Sequence, residues 1–161
     1  ELDKFQDFRG TYQETYNLEE YISFGIDTKF VQDDISISNY KVLRGLHGDN
    51  RTWKLVSCLQ GEFFLAIVNF DDKSDQFCEY DSFYLKENDS KQILIPPLFA
   101  NGHLVLSSKA IFHYKQSTYY EGMGKQFTIK WNDPKININW PINDPILSNR
   151  DKNVNFIDKN V

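Results

Sequence analysis

The chain has 161 residues, with 18 Lys and Arg against 23 Asp and Glu, a net charge of −5. That length fits one domain over residues 1–161, and the mild acidity lacks the basic footprint of a duplex nucleic-acid binder. A hydrophobic share of 40%, with 16% aromatic, fills a core and excludes a disordered chain, while no apolar run nears the ~20 residues that span a bilayer.

In chain order, residues 18–24 predict a short helix with Asn17 as its N-cap. The apolar segment 42–46 reads as a strand. Residues 53–59 and 62–68 are β-branched and aromatic runs on either side of Gln60-Gly61, which predicts a hairpin with the two strands paired. Further strands are expected at 79–85, 92–95, 102–106, 110–115 and 126–131, with turn-formers at 87–90, Pro96-Pro97 and Ser107-Ser108 between them. Many short strands at regular spacing predict an all-β sandwich or barrel, of which the jelly roll is one form. From Asn132 onward Pro134, Pro141 and Pro145 stand among many Asn and Asp, so this extended tail should wrap the barrel as an ordered loop or short helix. Two cysteines, Cys58 and Cys78, make neither a disulfide framework nor a zinc site, and Glu1-Leu2-Asp3-Lys4 does not read as a signal peptide, so a cytoplasmic setting is expected.

Three histidines can be weighed singly. His113 alternates with Tyr114 on its strand and reads as a surface or interface residue. His47 follows Val42-Leu43-Arg44-Gly45-Leu46, and a regular strand would put Arg44 and His47 on opposite faces. A bulge near Gly45 is needed to bring both into one cleft. Lys54 at a strand start and Tyr114 within a strand are each ordinary structural residues when taken alone. No His-x-His pair is present, so no metal site is expected, and neither a phosphate-binding glycine loop nor a G-x-S-x-G elbow occurs.

Several segments together carry more. Phe5-Gln6-Asp7-Phe8-Arg9-Gly10-Thr11-Tyr12-Gln13-Glu14, Phe30-Val31-Gln32-Asp33 with Ser36, Val42-Leu43-Arg44-Gly45-Leu46-His47, and Lys54-Leu55-Val56 with Gly61-Glu62 come first. Ile95-Pro96-x-x-Phe99-Ala100, Tyr114-Lys115, Trp131-Asn132-Asp133-Pro134, Ile138-x-Trp140-Pro141 and Leu147-Ser148-x-x-Asp151 follow. In this order and span the chain resembles the dTDP-4-dehydrorhamnose 3,5-epimerases, cupin-fold enzymes of activated-sugar biosynthesis whose usual first strand falls ahead of Glu1.

The resemblance implies a cupin-type jelly roll and an isomerase with no cofactor, acting on a nucleotide sugar with a ketone at C4. It implies His47 as general base for a proton on C3 or C5, Asp151 behind it fixing the tautomer, and Lys54 beside the C4 oxygen. Tyr114 returns a proton from the other face. Arg44, with Arg9 and Gln32, is implied to hold the pyrophosphate and nucleotide. The segment of Arg9 and Glu14 reaches a neighbouring subunit's site, which implies a homodimer.

Departures from the family pattern touch the sugar side. Gly48-Asp49 replaces an aromatic-Gln pair, and Ala100-Asn101-Gly102-His103 stands for A-H-G-F. These residues, with Pro145-Ile146-Leu147-Ser148-x-Arg150-Asp151, look more like the branch acting on GDP-linked 4-keto heptoses for capsular polysaccharide. That substrate is the expectation, with Asp49, Asn101 and His103 among its contacts. A dTDP-linked 4-keto-6-deoxyhexose, a 3,4-ketoisomerase reaction and a non-catalytic sugar-nucleotide barrel are the alternatives.

Overall fold

The computed structural model describes residues 3–158. Its strands are β1 (Lys4–Asp7), β2 (Gly10–Gln13), β3 (Gln32–Asn39), β4 (Leu43–Gly48), β5 (Lys54–Gln60) and β6 (Glu62–Asn69). They continue with β7 (Tyr80–Lys86), β8 (Ile93–Ile95), β9 (Phe99–Val105), β10 (Lys109–Gln116) and β11 (Phe127–Thr128). Two short α-helices, α1 (Leu18–Ser23) and α2 (Asn149–Asn153), and a 3₁₀ turn (Met123–Lys125) complete the set among the described residues, and no described helix is long and apolar enough to cross a membrane. One sheet runs β3-β10-β5-β8 and the other β11-β4-β9-β6-β7, while β1 and β2 form a separate hairpin. The result is the all-β, cupin-type architecture expected.

The uninterrupted apolar run of β6 explains the layering. Alternation sends Phe63, Leu65 and Ile67 inward, where they meet Val56, Cys58 and Phe112 of the facing sheet. Phe64, Ala66 and Val68 point outward and are buried all the same, because Ile129, Ile136, Ile138 and Trp140 cover them. The proline-bearing tail is therefore a third layer. Its seat is fixed by Trp140 Nε1 donating to the Trp131 carbonyl at 2.7 Å and by backbone bonds of Ile146 to Lys41 and Leu43. Fully burying a side chain such as Phe63 or Leu65 is worth roughly 1.5–3 kcal/mol.

Two expectations need correction. Residues 53–59 and 62–68 are consecutive but unpaired: β5 bonds to β10 and β8, whereas β6 bonds to β7 and β9. Gly61, at φ +75°, turns the chain across the sandwich from one sheet to the other, since both flanking runs are apolar enough to seek different core faces. The strand expected at 126–131 shrinks to Phe127–Thr128, because the residues beyond it join the tail layer. The helix after Asn17 is present, with the Asn17 side chain accepting from the Glu19 N–H at 3.1 Å and Tyr21 as its buried residue.

Candidate active site

A cavity of about 730 Å³ lies between the two sheets and the C-terminal tail. The five-stranded sheet contributes Arg44 and His47 from β4 with Asn101 and His103 from β9. Lys54 of β5 and Tyr114 of β10 face them from the other sheet.

Arg44 and His47 share this cleft because β4 is bulged. Arg44 pairs with His103 and His47 with Asn101, so three steps along β4 match two along β9. Gly45 makes this possible, with φ +125° and so close an approach to β9 that a Cβ there would lie 2.5 Å from the Gly102 Cα.

His47 Nε2 lies 2.6 Å from Asp151 Oδ1. Asp151 is only 2% exposed and sits in the first turn of α2, where the Ser148 hydroxyl donates to Oδ2 at 2.8 Å and accepts from the Asp151 N–H at 3.2 Å. Burial alone would raise this carboxyl's pKa, but hydrogen bonds from His47, Ser148 and the Gly45 backbone outweigh it and hold the group below the usual carboxylate range. An ionised carboxylate only accepts, so Nε2 carries a proton, and in the neutral imidazole the lone pair is on Nδ1.

Lys54, 7% exposed, donates to Asn101 Oδ1 at 3.0 Å, leaving two of its three ammonium donors for other acceptors. Burial pushes its pKa down, with Asp49 opposing the shift and Arg150 adding to it. Burial also pushes the Tyr114 phenol up to about 12, with Asp34 and Tyr120 adding and Arg44 opposing, so it is protonated at neutral pH. Arg44 is braced by its Nε donating to Ser38 Oγ at 2.9 Å.

Arg150 completes the basic side; in the sequence it belongs to the Pro145-to-Asp151 pattern but is not among the candidate site residues. Its Nε donates to Thr128 Oγ1 and its Nη1 to Gln126 Oε1, while Nη2 is buried without a partner.

Other expected contacts are not gathered here within one chain. Arg9 lies on the exposed turn between β1 and β2 and pairs with Asp7, and Glu14 accepts from Asn17. Gln32 is spent on Asp34 and the Tyr120 backbone, and Asp49 caps the turn to Thr52. His113 points away from the cavity toward Asp33, as alternation with Tyr114 requires. Among the described residues, no group of three or more His, Cys, Asp or Glu is placed to hold a metal ion.

The family model of dTDP-4-dehydrorhamnose 3,5-epimerase matches residues 1–159. The enzyme of that name from Shigella flexneri is 38% identical over 153 residues, which cover 92% of this chain and 84% of that protein. The one from Methanothermobacter thermautotrophicus is 35% identical over 158 residues, covering 95% and 85%. Among solved structures, dTDP-4-dehydrorhamnose 3,5-epimerase from Bacillus anthracis with TDP and PPi bound gives a TM-score of 0.92 at 32% identity, covering 98% of this chain and 91% of that one. The dTDP-6-deoxy-D-glucose-3,5-epimerase from Legionella pneumophila in complex with dTDP-4-keto-L-rhamnose gives 0.89 at 36%, covering 94% and 82%.

Proposed function

The chain belongs to the dTDP-4-dehydrorhamnose 3,5-epimerase family, and from that premise we propose that it inverts C3, C5 or both of a nucleotide-linked 4-keto sugar. The observation that carries the reading is His47 of β4, paired with Asp151 of α2, facing a protonated Tyr114 of the other sheet across one cavity. A ketone at C4 acidifies its neighbouring C–H bonds. His47 Nδ1 takes a proton from one of these carbons, the C–H electron pair passes into an enolate, and Asp151 stabilises the imidazolium that forms. Lys54 donates to the C4 oxygen as negative charge grows there. Tyr114 delivers a proton to the opposite face, the enolate returns to the ketone, and the centre is inverted. Arg44 and Arg150 hold the diphosphate, a task suited to two braced guanidinium groups lining one cavity.

For the nucleotide, a dTDP-linked 4-keto-6-deoxyhexose has the better support, since the relatives above are named for dTDP sugars. The GDP-linked 4-keto heptose expected from sequence finds no support among them. It stays as a second reading on one observation: the departures at Gly48, Asn101 and His103 fall in or beside the cavity. Asn101 is held by Lys54, and the Phe127 ring fills the space over Gly48, where a Cβ would meet its Cζ at 2.5 Å.

A panel of 4-keto sugars on dTDP, GDP and CDP, followed by proton NMR in heavy water, tests both readings. Exchange at C3 or C5 is expected, foremost with the dTDP-linked hexose, and exchange confined to the GDP-linked heptose would carry the second reading. His47→Asn should lower exchange by ~10²–10⁴-fold while nucleotide binding persists. Near wild-type exchange in that variant removes His47 from the role of base, and exchange with no member of the panel rejects the epimerase reading.

A further inference from the structure

The helix α2 carries the carboxylate behind His47, yet its five residues include no apolar side chain, and the buried one among them is Asp151 itself. A helix this short does not hold itself in water. Leu147 before it and Ile157 after it pack on the core, so the chain is anchored at both sides and the stretch between is seated by polar bonds. Most of those bonds come from one strip of chain.

Residues 126–130 run between β4 and α2. Their backbone pairs with β4: Thr128 lies opposite His47, and Ile129 exchanges backbone hydrogen bonds with Leu46 at 3.0 and 3.3 Å. Phe127 and Ile129 turn into the core, and alternation sends Gln126, Thr128 and Lys130 the other way. All three reach α2. Gln126 Oε1 and Thr128 Oγ1 accept from the Arg150 guanidinium, which secures the first turn. Lys130 Nζ donates to the carbonyls of Lys152 at 3.2 Å and Val154 at 3.0 Å, at the end of α2 where no further turn exists to satisfy them. The Phe156 ring beneath this ammonium, 5.1 Å away, adds to its hold.

Lys130 stands outside the cavity lining and touches none of the groups assigned to the proton transfers. One of its two acceptors, however, belongs to Lys152, the neighbour of Asp151. A shift there passes through one peptide unit to the carboxylate, and the 2.6 Å bond to His47 leaves little room for it. Resting on the epimerase reading, we infer that Lys130 is a positioning residue for proton abstraction: its ammonium holds the end of α2 so that Asp151 keeps His47 in the tautomer and orientation that present Nδ1 to the substrate. Arg150 is secured separately by Gln126 and Thr128, so diphosphate binding does not depend on Lys130.

Lys130→Met keeps most of the stem and removes the donor. In this variant kcat for C–H exchange should fall about tenfold or more, because a small misplacement of a reacting group is costly, while KM and nucleoside diphosphate affinity stay close to wild type. Lys130→Arg, which keeps donors at the end of the stem, should restore kcat. A wild-type kcat in Lys130→Met, a loss that falls on KM instead, or a loss that Lys130→Arg shares overturns the assignment. A second measurement needs no substrate. In protein labelled with ¹⁵N-histidine, the His47 Nε2–H, bonded to a buried carboxylate, should give a downfield proton signal in wild type and Lys130→Arg and lose it to solvent exchange in Lys130→Met. A signal that persists in Lys130→Met overturns the inference whether or not any 4-keto sugar is turned over, whereas no exchange by wild-type enzyme with any such sugar rejects the epimerase reading.

Discussion

Inversion at a carbon requires proton removal on one face and delivery on the other, and this divides the roles of two side chains. His47 on β4 and Tyr114 on β10 stand on opposing sheets across the cavity. Tyr114→Phe keeps the ring and its contact with Phe112 while removing the hydroxyl. The variant should still wash deuterium into the substrate through His47 but return it largely to the original face, read by NMR as exchange with little inversion. A normal yield of epimer would assign the donor elsewhere. His103 carries a second consequence at this scale. Its folded pKa of about 3 lies below the ordinary 6.5, so between these values the unfolded chain binds a proton that the folded one does not. Stability from this group is therefore complete above pH 6.5 and lost as the pH falls, by up to about 1.4 kcal/mol per unit. Urea unfolding should show wild type losing about 2 kcal/mol more than His103→Phe between pH 7 and pH 5. His113, whose pKa burial also lowers, contributes with the same sign to both proteins and cancels in the comparison.

At the scale of elements, the β4 bulge and the first turn of α2 shape the site. Straightening β4 would turn either Arg44 or His47 out of the cavity, since side chains alternate along a strand. Gly45→Ala forces a Cβ into the position now nearly touching Gly102 and places a substituted residue at φ +125°. The expected loss is about 1–3 kcal/mol of stability by urea unfolding, and exchange activity should fall more than diphosphate binding, because the shift is felt first at His47. An unchanged rate would mean that β4 tolerates another register. The α2 turn works differently. Ser148 and Asp151 satisfy each other as cap and first-turn acid, so the carboxylate that orients His47 is itself held by local helix chemistry.

At the scale of the whole molecule, the β1–β2 hairpin pairs with no other strand among the described residues, and it exposes Phe5, Phe8 and Tyr12 at 65%, 98% and 68%. Arg9 sits on the same hairpin, paired with Asp7 and over the Phe8 ring. A homodimer in which this hairpin reaches the partner's cavity would cover those rings and bring Arg9 to the nucleotide. Sedimentation at micromolar concentration should then give a dimer, and Arg9→Ala should raise KM more than it lowers kcat. A fully active monomer would end that assignment.

Strand character, the Asn17 cap and the turn at Pro96-Pro97 were legible in sequence, because each depends on neighbours a few residues apart. The ordered matches from Phe5 to Asp151 also marked Arg44, His47, Lys54, Tyr114 and Asp151, which the structure draws around one cavity. What the sequence left undecided was relative placement. Residues 53–59 and 62–68 look like one hairpin from either side of Gly61, yet they enter different sheets, since pairing partners are chosen by which core faces close over the apolar rows. The need for a bulge near Gly45 could be stated in advance, but its existence rests on the register of β4 against β9. The cavity position of Arg150 and the unpaired nitrogen of His103 stayed invisible for the same reason. Periodicity and local motifs report a residue's own element, whereas a shared cavity, a missing partner and a shifted pKa are set by side chains distant in sequence that only the closed sandwich brings together.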